Sequence, residues 1–156
     1  MSLIDTASAC LSELQLESKK VEGFPVLTLT IEASNGKLDM YVHAHEDKQR
    51  LLIYLRPQGI TASDDKLHLL ADYITRANYG LPLGNFELDM NDGELNFKNS
   101  LDVNGGSLTK EMVKTLVVFG IECVNRYLPG VRAVLEGAVP KEAIEQIDGP
   151  SRIMIT

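Results

Sequence analysis

His43 and His45 are the residues best suited to metal chemistry, because they alternate along a predicted strand and are followed by Glu46 and Asp47. The spacing HxHxD begins the ligand motif of one class of metal-dependent hydrolases, in which the sixth position is also histidine, whereas Lys48 stands there in this chain. Only three histidines are present, so further imidazole ligands are scarce. The pattern favours solvated strand histidines without a functional metal, and a metal-dependent hydrolase using His43 and His45 is a distant alternative.

Two further patterns that could support chemistry fit surface roles better. A glycine-containing loop at residues 104–110 precedes a predicted helix, but it lacks the GxxxxGK[ST] spacing of a phosphate-binding loop. Carboxylates can act as acid and base when one of them is desolvated, but those of the second predicted hairpin fall on its polar face. They are Glu87, Asp89, Asp92, Glu94 and Asp102. No catalytic residue is therefore assigned, and the protein is not expected to be an enzyme.

A corner rich in asparagine and glycine follows the second predicted helix. Its candidate binding residues are Asn78, Tyr79, Gly84 and Asn85, and Gly80 stands where helices often end in the left-handed conformation. Asparagine and glycine are typical of helix ends and tight turns, so a structural role is favoured. A binding site at this corner is the alternative.

The predicted helix from Lys110 to Leu128 is apolar around an unusually wide arc, so it must bury more than one side. It could lie under a sheet and also contact another helix of the same chain or a second subunit. Pro129-Gly130 is predicted to interrupt it, with two further turns after the break. The predicted partner or dimer interface lies on this arc and consists of Met112, Leu116, Phe119, Cys123 and Tyr127.

These residues are positioned by a predicted α+β fold with the order α-β-β-β-α-β-β-α and a short C-terminal helix. Alternation of apolar and polar residues indicates an antiparallel sheet of about five strands on which the helices pack. We expect a single domain over residues 1–156, with a core at 3–137 and a C-terminal extension at 138–156. The elements are a helix at 3–18, strands at 24–33, 38–45 and 51–56, a helix after 63, a hairpin at 86–101 and helices beginning at 110 and 140.

Local signals set the expected boundaries of these elements. Asn35-Gly36 predicts a two-residue hairpin turn, and Ser63 and Thr109 are predicted N-caps. Met90 is predicted to share the apolar face of its strand, and Pro140 to begin the last helix.

Composition restricts the classes of function. The net charge of -7 and the scattered basic residues argue against nucleic-acid binding, which requires clustered lysine and arginine. The longest apolar run, residues 116–121, is too short to span a bilayer, and no signal-peptide pattern is present. The two cysteines, Cys10 and Cys123, show no metal or redox spacing. We therefore expect a cytoplasmic protein with no membrane or nucleic-acid partner.

Residues 78–94, NYGLPLGNFELDMNDGE, resemble the signature of the YbjN-like family of bacterial proteins. Members carry a similar stretch, NYG-x-x-x-GNFELD-x-x-DGE, before a hairpin and a long apolar helix. They are described as candidate regulators of sensory transduction, and their fold resembles that of type III secretion chaperones. The resemblance implies a homodimer that holds an extended segment of an unidentified protein partner against apolar surface or a sheet edge.

The expected function is that of a non-enzymatic, cytoplasmic protein-binding module, chaperone-like or regulatory, that needs no cofactor. The first alternative is a small-ligand sensor whose pocket lies near Tyr79 and Asn85.

Overall fold

The computed structural model describes residues 1–149, which form an α+β fold with one antiparallel sheet. The described residues contain six strands and four helices. In chain order they are α1 (Leu3–Glu13), β1 (Lys19–Lys20), β2 (Val26–Ala33), β3 (Gly36–His45), β4 (Arg50–Pro57), α2 (Leu67–Asn78), β5 (Asn85–Leu88), β6 (Leu95–Asp102), α3 (Lys110–Leu135) and α4 (Pro140–Asp148).

The sheet has the strand order β1-β2-β3-β4-β6-β5. The predicted fold class is confirmed, with one strand more than the five expected. The additional strand, β1, pairs Lys19 with Thr28 and Lys20 with Leu27. Both lysines are exposed, and two residues are too few to show an alternating pattern, so the sequence contains no signal for this strand.

The strands β2, β3 and β4 alternate as predicted, with one face buried against helices and the other open. In β3 the buried side chains are Leu38, Met40, Val42 and Ala44. The turn before β3 lies one residue earlier than predicted, since Ala33 pairs with Gly36 and leaves residues 34 and 35 as the turn. Residue 36 lies close beneath α3, since a Cβ there would lie 2.7 Å from the flexible end of the Arg132 side chain.

α3 is continuous from Lys110 to Leu135, so the predicted interruption at Pro129 is wrong. Proline has no N–H to donate to the carbonyl four residues earlier, which belongs to Asn125. The Asn35 side-chain amide donates to that carbonyl at 2.7 Å, and the Asn35 backbone N–H donates to the Asn125 side chain at 2.8 Å. A turn of the sheet thus provides the hydrogen bond that proline removes, and the helix continues.

The first helix is shorter than predicted and receives a cap from a distant residue. α1 ends at Glu13, after which Gln15 adopts a left-handed conformation with φ of 59°. At its other end, the Glu46 carboxylate accepts hydrogen bonds from the backbone N–H groups of Leu3 at 3.1 Å and Ile4 at 3.0 Å. A carboxylate is favourable there because the amino end of a helix carries partial positive charge.

α2 begins at Leu67, later than an N-cap at Ser63 implies. The backbone carbonyl of Ser63 accepts hydrogen bonds from the N–H groups of Lys66 and Leu67, which forms a separate turn before the helix. The Ser63 hydroxyl donates to the Asp65 carboxylate. The other cap predictions are confirmed. The Thr109 hydroxyl accepts from the Met112 N–H at 3.2 Å, and Pro140 begins α4.

The hairpin of β5 and β6 packs its apolar face on the helices. Phe86, Leu95 and Phe97 are buried, but Met90 lies beyond the end of β5 and is 45% exposed, so its assignment to that face is wrong. α4, which belongs to the predicted C-terminal extension, packs against α2 and α3. The remaining residues of that extension, 150–156, lie outside the described residues.

Candidate functional site

Asn78, at the end of α2, is a bridge between this helix and the edge strand β5. Its side-chain oxygen accepts from the Phe86 N–H at 2.7 Å, and its side-chain nitrogen donates to the Phe86 carbonyl at 3.1 Å. Within residues 1–149, β5 is the edge strand of the sheet, so Phe86 obtains from an asparagine the backbone partners that a further strand would otherwise provide.

Of the other three predicted corner residues, Gly84 and Asn85 make close contacts within the chain, and Tyr79 is exposed. Gly84 has φ of +66°, and a Cβ there would lie 2.7 Å from the Phe97 ring, so this position needs glycine for conformation and space. The Asn85 side chain donates to the Phe86 carbonyl at 3.2 Å. Tyr79, in contrast, is 69% exposed. The structure therefore brings the four residues together at one corner, but three of them stabilise it and Tyr79 is the one available to a partner.

A groove of about 430 Å³ lies between α2 and α4, beside Tyr79. Its lining is mostly apolar, with charged groups at the rim. The lining residues are Thr75, Arg76, Tyr79, Lys141, Ile144, Glu145, Asp148 and Gly149. Half of these lining residues belong to α4, a helix in which the sequence predicted no site.

Asp148 fixes α4 to α3 and thereby shapes the groove. Its carboxylate accepts from the Tyr127 hydroxyl at 2.9 Å and pairs with Arg126 at 2.9 Å. The hydrogen bond to Asp148 raises the pKa of Arg126, so the guanidinium keeps its charge. Tyr73 adds a tie from α2, because its hydroxyl donates to the Tyr127 carbonyl at 2.8 Å. Burial raises the pKa of Tyr73, so the hydroxyl keeps its proton and remains a donor.

The five predicted interface residues of α3 do not form one exposed surface. Leu116, Cys123 and Tyr127 are buried by the other helices and the sheet of their own chain. Met112 is 41% exposed and Phe119 is half-buried. They stand seven residues apart, so they share the outer side of the helix. The apolar surface that α3 leaves uncovered is therefore narrower than its sequence indicates, and is centred on these two side chains.

A shallow cleft of about 330 Å³ lies on the open face of the sheet, between Tyr41, Tyr54, Arg56 and Asn96. The Arg56 guanidinium lies 5.6 Å from the Tyr41 ring centre, donates to Asn96 and pairs with Glu94 at 2.7 Å. Its charge is thus already engaged by neighbours in the same chain.

His43 and His45 also lie on the open face, with their ring centres 4.2 Å apart. Partial burial, with a smaller contribution from His45, lowers the pKa of His43. Within residues 1–149, no group of three or more histidine, cysteine or acidic side chains is arranged to hold a metal ion. In the same residues, no helix combines the length and hydropathy needed to cross a membrane.

Comparison with solved structures identifies the fold. YbjN from E. coli, described as a candidate transcription regulator, matches with a TM-score of 0.59 and 20% identity over 85% of this chain and 89% of its own. The HopA1–SchA chaperone–effector complex matches with a TM-score of 0.50 and 15% identity, over 85% and 92%. The ExsC–ExsE complex matches with a TM-score of 0.49 and 13% identity, over 78% and 90%.

No protein-family model and no curated protein matches the chain in sequence. The structural matches nevertheless confirm the resemblance predicted from residues 78–94, because the chain has the fold shared by YbjN and type III secretion chaperones. One of these neighbours is named as a candidate transcription regulator and another as a chaperone–effector complex.

Proposed function

We propose that the protein is a non-enzymatic, cytoplasmic protein-binding module, chaperone-like or regulatory, that acts as a homodimer and binds a segment of a partner polypeptide. The observation that carries the proposal is the similarity of its fold to that of SchA, which was crystallised in a complex with HopA1. Fold similarity alone does not specify function, so the proposal also needs a suitable surface.

The groove between α2 and α4 supports this proposal. Its apolar lining suits an apolar side chain of a partner, and exposed Tyr79 at its side provides a large contact area with few rotatable bonds. The charged rim, with Arg76, Lys141 and Glu145, suits polar contacts around a buried anchor. The outer side of α3, with Met112 and Phe119, is then left for a second copy of the chain.

Affinity capture from a native lysate tests partner binding at this groove. We expect the immobilised wild-type protein to retain a discrete protein, and Tyr79→Ser to retain much less of it. Phe24→Ser is a matched control, because Phe24 is 64% exposed and Tyr79 is 69% exposed, and Phe24 does not line the groove. Equal capture by the two variants would exclude the groove as the binding surface.

The small-ligand sensor is the second candidate function, and the volume of the groove favours it. About 430 Å³ lies within the range of roughly 300–1,000 Å³ that small-molecule pockets occupy. A metabolite panel tested by thermal denaturation distinguishes the two functions, because a ligand that binds the folded state raises its Tm. A stabilising metabolite whose effect is lost in Tyr79→Ser, together with no captured protein, would favour the sensor.

A further inference from the structure

The imidazole rings of His43 and His45 are placed side by side on the uncovered face of β3. Residues two apart on a strand point to the same side and are separated by about 6.8 Å along it. Here the ring centres are only 4.2 Å apart, with an angle of 34° between the ring planes. Both side chains are half-buried, and within residues 1–149 the helices pack on the opposite face of the sheet, so solvent and small ions reach the two rings. Because metal–nitrogen bonds are about 2.0–2.1 Å long, two rings with centres this close can each present one nitrogen to the same ion.

The residues paired with the two histidines across the sheet place little net positive charge beside them. Leu52 of β4 and Val26 of β2 lie opposite His43, and both are apolar. Arg50 lies opposite His45, but its guanidinium donates to the Asp102 carboxylate at 2.7 Å, which offsets its charge. The repulsion that would oppose a bound cation is therefore small.

The same neighbours provide no third protein ligand. Glu46, the acidic residue next in the chain, already accepts hydrogen bonds from two N–H groups of α1. A metal bound here would have two nitrogen ligands in adjacent positions and water at the others. Closed tetrahedral zinc sites need four protein ligands, whereas Cu²⁺ accepts nitrogen and oxygen ligands in a tetragonal arrangement and binds such ligands most strongly among the divalent first-row ions.

We propose that His43 and His45 chelate one Cu²⁺ ion on the open face of the sheet, each through one imidazole nitrogen. This site supports binding and not hydrolysis. The site is distinct from the groove between α2 and α4 and from the outer side of α3. Its test therefore does not depend on whether the proposed function is correct.

Titration of the whole protein with Cu²⁺ at pH 7.5, followed by calorimetry and electron paramagnetic resonance, tests the site. We expect one ion per chain and a spectrum with two coordinated imidazole nitrogens. His43→Ala and His45→Ala should each weaken binding by about 10²-fold, because the second ligand then no longer binds intramolecularly. Zn²⁺ should bind more weakly than Cu²⁺.

His68→Ala is the control, because His68 is the third histidine and is exposed on α2. We expect it to bind Cu²⁺ as the wild type does. A spectrum with one imidazole, or full affinity in either strand variant, would overturn the proposal. So would an equal loss in His68→Ala. Circular dichroism melting of each variant confirms that a lost signal reflects a lost ligand and not an unfolded chain.

Discussion

Asn78 satisfies two backbone groups of Phe86 with one side chain, which gives this residue a structural role in a corner that resembles a binding site. The asparagine amide presents a donor and an acceptor side by side, as a neighbouring strand does. Gly84 has a similar role, since no larger residue fits against Phe97. Among the four predicted corner residues, the side chain open to a partner is that of Tyr79.

We predict that Asn78→Ala lowers the free energy of unfolding by about 2–3 kcal/mol, because two partly buried hydrogen bonds are lost and the Phe86 groups remain in place. Urea denaturation measures this change. Asn85→Ala, which removes one longer contact to the same carbonyl, should cost about 1 kcal/mol or less. If the two variants lost the same free energy of unfolding, the two hydrogen bonds between Asn78 and Phe86 would not be the source of the stability.

At the scale of elements, hydrogen bonds between distant segments decide where helices begin and continue. Asn35, in the turn between β2 and β3, supplies the donor that Pro129 removes from α3. Glu46, at the end of β3, supplies the acceptors that the first turn of α1 needs. In both cases a loop next to the sheet completes a helix.

A double-mutant cycle tests the role of Asn35. In the wild-type background we expect Asn35→Ala to lower the free energy of unfolding by about 1 kcal/mol or more. In a Pro129→Ala background the cost should be smaller by about 1 kcal/mol, since residue 129 then has an N–H for the Asn125 carbonyl. Chemical denaturation of the four proteins measures the coupling. Strict additivity would contradict this explanation of the continuous helix.

For α1 we predict that Glu46→Ala costs about 1–3 kcal/mol, because two hydrogen bonds to a charged acceptor are lost at the amino end of the helix. Hydrogen exchange should show faster exchange of the first amides of α1, at Leu3 and Ile4. Asp47→Ala, at the next and exposed position, should change neither stability nor exchange. Unaltered exchange in Glu46→Ala would exclude the capping role.

At the scale of the whole molecule, the chain covers most of α3 by itself. The sheet, α1, α2 and α4 all pack against this helix, and the uncovered apolar part is the side that carries Met112 and Phe119. An apolar stripe of this width is small for a stable interface, so a dimer would also need polar contacts around it.

We predict that light scattering coupled to size exclusion gives about twice 17.2 kDa for the wild type. Met112→Glu should give the monomer mass, because it places a charge at the centre of the proposed interface. Met90→Glu is the control, since Met90 is similarly exposed but lies on the β5–β6 hairpin. A monomeric wild type, or a dimer unaffected by Met112→Glu, would remove the dimer from the proposed function.

Much of the fold can be predicted from the sequence, because strand alternation and helix capping depend on residues that are close together in the chain. The alternation of Leu38, Met40 and Val42 predicts which face of β3 is buried, and Thr109 and Pro140 predict where helices begin. These inferences succeed since strand alternation and capping depend on neighbours along the chain. The motif at residues 78–94 likewise predicts the fold that the structural comparison confirms.

The tertiary structure alone decided the remaining features, each of which depends on residues far apart in the chain. Asn35 and Asn125 are 90 positions apart, so no local pattern shows that α3 passes through Pro129. The burial of Leu116 and Cys123 likewise depends on which elements pack on α3. Apart from β1 and the position of Met90, the sequence by itself determined the order of the elements and which faces they bury, because these follow from local periodicity. Only packing decided which apolar residues stay exposed and where a groove forms, because those depend on what covers each surface.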